Sequence, residues 1–127
     1  MTPNEALAEL LTLSAQVRDV AILGETGFVL ASTGTPEDGE HLARVAAELT
    51  AAAADVRPGA ELSRIEVSGE GTNVFLVRDV GRTAIATTTP DAIAGLMVYD
   101  LRTMLGRLET EPAPRRPRKR KKESEDA

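Results

Sequence analysis

The sequence predicts an α+β domain in the order helix, strand, strand, helix, strand, strand, strand, helix, spread over Pro3 to Leu108. Two observations predict it. The spacing of apolar residues switches between a helical period and a two-residue period in that order. The connections are short and carry Gly, Pro or Asp, as antiparallel neighbours allow.

Thr2, Pro3 and Glu5 make a helix start: Thr2 caps, Pro3 suits the first helical position, and Glu5 completes a capping box. Ala6, Leu7, Leu10, Leu11, Ser14 and Val17 follow as one stripe, which predicts a first helix ending near Arg18. Val20–Leu23 and Phe28–Ser32 are apolar runs around Gly24-Glu-Thr-Gly27, a hairpin with apolar groups on both faces and hence covered above and below. Thr33 to Asp38 reads as a loop.

A second helix opens at Glu37 or Asp38 and runs to about Val56. Its main stripe is Leu42, Val45, Ala46, Leu49, Ala53 and Val56, and Glu37, Glu40, His41, Arg44, Glu48 and Asp55 form a polar stripe. A third face holds only small residues: Ala43, Ala47, Thr50 and Ala54. A surface helix ordinarily needs one apolar and one polar face, so the third face implies something further to lie against. The competing explanation is plain helix propensity, since alanine is favoured throughout a helix.

Pro58-Gly59 ends that helix. Leu62–Ser68 alternates, with Ile65 and Val67 on one side and Arg64 and Glu66 on the other, predicting a strand covered on one face. Val74–Val77 is apolar on both faces and reads as an interior strand, and Thr83–Thr88 returns after a turn at Gly81. Pro90-Asp91 is read as the start of a last helix, with Ile93, Leu96, Met97, Leu101, Met104, Leu105 and Leu108 as its stripe.

Charge divides the chain in two. Residues 1–110 hold 8 Arg, no Lys and 16 acidic side chains, whereas residues 111–127 hold 7 basic and 4 acidic ones. The first part is a single domain. The second has three prolines and no apolar period, so it cannot bury enough surface to offset chain entropy and is expected to be disordered. With no Cys and His41 as the single histidine, disulfides and thiolate metal sites are excluded and no zinc site can be built from His and Cys. The start lacks the pattern of a signal peptide and no apolar stretch spans a bilayer, which predicts a cytoplasmic protein.

No residue set reads as catalytic. His41 lies on the charged stripe with no nucleophile or paired carboxylate beside it, so a solvated side chain is the better reading than a base or pH switch. Gly69-Glu-Gly71 lies between strands with no helix after it, and is a hairpin turn rather than a phosphate loop. Asp100 sits at the edge of an apolar stripe. Few polar groups converge and aromatics are scarce, so no cofactor, metal or small-molecule substrate is expected. The run Arg115, Arg116, Pro117, Arg118, Lys119, Arg120, Lys121, Lys122 is read as a weak, salt-sensitive tether to anionic lipid or nucleic acid, against the alternative of a merely solvating tail. It has no aromatic residue to stack on bases and no lipidation motif beside it.

The element order, the hairpin Val20–Ser32, the alanine-rich helix His41–Ala54 and the closing Ile93–Leu108 together resemble the roadblock/dynein light chain family. The resemblance implies a profilin-like fold: a five-stranded antiparallel sheet, the first and last helices on one face and the second on the other. It also implies a homodimer in which third strands pair across a two-fold axis and second helices pack antiparallel. The small face Ala43, Ala47, Thr50, Ala54 would then meet its copy, and Arg64 would face Glu66 of the other chain. Bacterial relatives regulate or scaffold Ras-like small GTPases, which implies a non-enzymatic docking platform here. The alternative role is a cytoskeletal or motor-associated assembly module without a GTPase.

Overall fold

The structure, a computed structural model, describes residues 1–109. Its elements are α1 (Pro3–Leu13), β1 (Val17–Leu23), β2 (Val29–Ser32), α2 (Pro36–Val56), β3 (Arg64–Ser68), β4 (Asn73–Asp79), β5 (Arg82–Thr88) and α3 (Ala94–Gly106). All five strands form one antiparallel sheet in the order β2-β1-β5-β4-β3. Strand β5 is central, pairing Ile85 with Ala21 on one side and with Leu76 on the other. The outer rows are β2, only four residues long, and β3.

Alternation along the strands separates two cores. Val20, Ile22, Phe75, Val77, Ala84 and Ala86 point to one face, where Leu7 and Leu10 of α1 and Met97, Leu101 and Leu105 of α3 cover them. Ala21, Leu23, Leu76 and Ile85 point to the other, beneath Leu42 and Ala46 of α2. The fold is the profilin-like arrangement, with the first and last helices together and the second alone.

Both α1 and α2 begin with the same chemistry. Glu5 N–H donates to Thr2 Oγ1 at 3.1 Å while Thr2 N–H donates to Glu5 Oε1 at 3.0 Å. Thr35 and Asp38 repeat this reciprocal pair, with Pro36 at the first helical position. Helix α2 therefore starts ahead of the expected Glu37 or Asp38, at a cap of the same Thr-Pro-x-acid pattern that opens α1.

Three expectations are corrected. Helix α1 stops at Leu13, not near Arg18, because the chain is pulled into the sheet: Val17 pairs with Thr88, and Thr89 N–H donates to Gln16 O at 2.9 Å. Ser14 becomes the C-cap and Val17 a strand residue. Helix α3 starts at Ala94, not at Pro90-Asp91. Those residues form a turn in which the Thr89 hydroxyl donates to Asp91 Oδ1 and Ala92 N–H to Thr89 O. Ile93 and Leu96 are exposed rather than part of the inward stripe, and so is Val56 at the end of α2.

Gly39 sets how closely α2 approaches the sheet. It is buried, and a Cβ built on it would stand 2.9 Å from Ser32 Cβ and closer still to Ser32 Oγ. Gly39→Ala is therefore expected to lower stability by about 1–2 kcal/mol in urea unfolding, despite alanine's better helix propensity. The compensating pair Gly39→Ala with Ser32→Gly should recover most of the loss, and equal stability of Gly39→Ala and the native chain would refute the contact.

Candidate interaction surface

Helix α2 lies chiefly over β2, β1 and β5. Leu42 and Ala46 are buried beneath it, and Val45 and Leu49 half-buried on one flank. The small-residue face forms the other flank, with Ala43 and Thr50 half-buried and Ala47 and Ala54 exposed. Thr50 belongs with the alanines because its hydroxyl donates to Ala46 O at 2.8 Å, one helical turn back, which uses up its polar group within the helix.

This flank is one wall of a cleft of about 660 Å³. The facing wall comes from the β1–β2 turn, with Glu25 and Thr26, and from the turn end of the β4–β5 hairpin, with Arg78, Gly81 and Thr83. Short side chains along this flank of α2 leave room for another backbone to come close, with a polar rim at the turn end.

Among the described residues β3 pairs with β4 alone, so its other edge, like that of the shorter β2, carries free backbone donors and acceptors. Its registers, Ile65 opposite Leu76 and Val67 opposite Val74, place Ile65 and Val67 on the α2 side of the sheet. Ile65 and Val74 are half-buried and Val67 is exposed. Arg64 and Glu66 lie on the opposite side, exposed, with Arg64 Nε 3.8 Å from Glu66 Oε2.

The structure thus places the four small residues together on one wall, and Arg64 with Glu66 in an ion pair within a single strand. The two groups occupy opposite faces of the sheet. An exposed pair of this kind contributes little in one chain, and neither charge is committed to it. Ile65 and Val67 share the α2 side of the sheet with that wall. Their alternation marks that side in the sequence, but only the strand order shows that β3 is outermost.

The remaining candidates resolve simply. His41 is exposed on α2, and Asp100 is half-buried at the edge of the inward face of α3. Gly69 and Gly71 belong to the β3–β4 turn, where Gly69 N–H donates to Thr72 O at 2.9 Å. The Arg18 guanidinium clamps that turn from β1, donating to Gly71 O at 2.8 Å and Thr72 Oγ1 at 2.7 Å. Among the described residues no three His, Asp or Glu side chains gather as metal ligands would, and no helix is long and apolar enough to cross a membrane. Residues 115–122 lie outside the described residues, as does the expected disorder of 111–127.

A five-stranded antiparallel sheet with the first and last helices on one face and the second on the other is the profilin-like fold of roadblock-type domains. The Roadblock/LC7 domain model matches residues 3–97, and the chain belongs to that family. Among solved structures, a Roadblock/LC7 domain from Streptomyces avermitilis superposes with a TM-score of 0.69 at 18% identity, covering 85% of this chain and 99% of that one. Gliding protein MglB from Thermus thermophilus is similar at a TM-score of 0.63 and 20% identity, covering 81% of this chain and 82% of that one. Myxococcus xanthus MglB is similar at 0.65 and 16%, covering 81% of each chain. At these identities the likeness is one of fold. No curated protein matches the chain.

The turn at the mouth of the cleft carries backbone strain. Val80 has φ +47° and Gly81 φ +77°, the consecutive positive values of a tight hairpin turn, yet Val80 is β-branched and points into solvent. Val80→Asn is expected to raise stability by about 0.5–1 kcal/mol, measured as a higher urea midpoint with unchanged slope. A lower midpoint would mean that the valine makes a contact that outweighs its strain.

Proposed function

We propose that the chain is a non-enzymatic regulator or scaffold of a Ras-like small GTPase, acting as a homodimeric docking platform. Family membership supports this reading. The observation that carries it is the incompletely covered α2 face of the sheet: the free β3 edge, the partly bare Ile65, Val67 and Val74 beside it, and the small-residue flank of α2 on the same face. A second copy related by a two-fold axis satisfies all three at once. Centred on Ile65, the antiparallel pairing sets Arg64 against Glu66 of the other chain and swaps the intra-strand ion pair for two cross-strand ones.

A rigid dimer acts on a GTPase by conformational bias. It favours one arrangement of the partner's switch loops in proportion to its differential affinity for the two states, and needs no catalytic residue of its own. The basic run Arg115–Lys122 adds a salt-sensitive tether to an anionic surface.

Light scattering at micromolar concentration should give twice the 13.5 kDa of one chain. Ala47→Glu changes an exposed residue of the monomer but buries an unpaired charge in each copy's contact. It should raise the dimer Kd by more than about a hundredfold while leaving the circular dichroism spectrum intact. A monomeric native chain would remove the platform reading. Capture of a Ras-like GTPase should differ between GDP and GTP analogues; nucleotide-independent capture would leave scaffolding, and filament co-sedimentation without a GTPase would favour the assembly-module role.

A further inference from the structure

We infer that the cleft between α2 and the two hairpin turns binds a small aliphatic zwitterion, its carboxylate on Arg78 and Thr83 and its ammonium on Glu25. The site lies within one chain and does not rest on the regulatory reading above.

Among the residues that line the cleft, Glu25 and Arg78 are the charged ones, and they have opposite sign. Both are exposed, and among the described residues neither takes part in an ion pair. They stand on different hairpins. Leu23 pairs with Thr83 and Thr83 with Arg78, so one row runs across β1, β5 and β4. Two strand spacings separate the ends of that row, about 10 Å. Glu25 follows Leu23 by two residues, and its carboxylate stands over Gly81, where an added Cβ would lie 3.6 Å from Glu25 Oε2. The two charges therefore border one opening without meeting across it.

The floor carries an unanswered hydroxyl. Thr83 is 6% exposed, lines the cleft, and accepts at Oγ1 from Arg78 Nε at 3.4 Å. Its own proton meets no acceptor among the described residues, although buried hydroxyls ordinarily have one. The terminal nitrogens of Arg78 are likewise unengaged among the described residues. A carboxylate entering the cleft accepts from both side chains and completes the set.

The rest of the lining fixes the body of the ligand. Leu23, Ala46, Ala47, Ala51 and Ala54 are apolar, and the Thr50 hydroxyl is spent on Ala46 O. Among the described residues no aromatic ring lines the cleft to stack on a planar group, so the wall suits an aliphatic chain. A phosphate or dicarboxylate would meet Glu25 as a like charge. Ala54 belongs to the last turn of α2, whose carbonyl end favours a cation. An ammonium at the Glu25 end answers both. At about 660 Å³ the cleft falls within the range of small-ligand sites, roughly 300–1,000 Å³.

The sequence hides this convergence, because Glu25, Arg78 and Thr83 come from separate segments that the strand order brings together. Ala47, Thr50 and Ala54 also form the flank assigned to a second copy. An occupied cleft opposes that contact, and by linkage a second copy weakens the ligand by the same factor.

The probe is 6-aminohexanoate, with hexanoate, hexylamine and hexanol as controls that lack one charge, the other, or both. Titrated into the isotope-labelled full chain, 6-aminohexanoate should shift the amide signals of Glu25, Thr26, Ala47 and Gly81 most, and bind at least about tenfold tighter than hexanol. Arg78→Met should bind it no better than hexylamine, and Glu25→Gln no better than hexanoate, with circular dichroism spectra unchanged because both residues are exposed. Thr83→Val should weaken hexanoate about threefold and leave hexylamine unaffected. No binding by the native chain, equal affinity for hexanol and 6-aminohexanoate, or unchanged charge preferences in the Arg78 and Glu25 variants would overturn the site.

Discussion

Helix α2 is laid across β2, β1 and β5, and this offset governs most of the surface chemistry of the domain. On the α1/α3 face two helices together roof the sheet and bury Phe75 and Val77. On the other face one helix roofs less than the full width, so Ile65, Val67 and Val74 stay partly in water beside a strand whose outer edge has no partner. Bare apolar surface next to unpaired backbone is an unfavourable combination in an isolated chain. Among the described residues no element corrects it, and the symmetric copy proposed above would supply a strand and a helix together.

The offset also explains the composition of α2. Alanines would be a weak choice for a helix flank that met only water, because a charged side chain solvates better. They suit the flank against which the proposed second copy's helix would lie. Thr50 returns its hydroxyl to Ala46 O and so adds no free polar group to that flank. Gly39 makes a parallel accommodation near the start of the helix, where Ser32 leaves no space for a methyl group. The acidic stripe of the same helix remains for solvent or for a partner protein.

Much of this is legible in the sequence, and the failures have physical causes. The element order, both sheet faces and the alanine flank follow from periodicity, which is strong where burial is one-sided. The α1 cap is readable, and the α2 cap repeats its grammar at Thr35-Pro36-Glu37-Asp38, a signal that the neighbouring Gly34 and Pro36 disguise as a loop. The end of α1 is not legible. Val17 continues the helical spacing, and only its pairing with Thr88 takes it into a strand. The start of α3 is hard to place because Pro90-Asp91 looks like a helix opening, whereas Asp91 is spent on the Thr89 hydroxyl. Alternation puts Arg64 and Glu66 on one side of β3, but the sequence does not show that this is the side away from α2.

The proposed platform requires two chains to meet along β3 about an axis at Ile65. The chain has no native cysteine, so single-cysteine variants at positions 64 to 68 can be oxidised and their intermolecular disulfides quantified without interference. A two-fold axis at that residue predicts that Ile65→Cys forms the inter-chain bond fastest and that yield falls away on both sides. Uniformly slow cross-linking across the strand would contradict it.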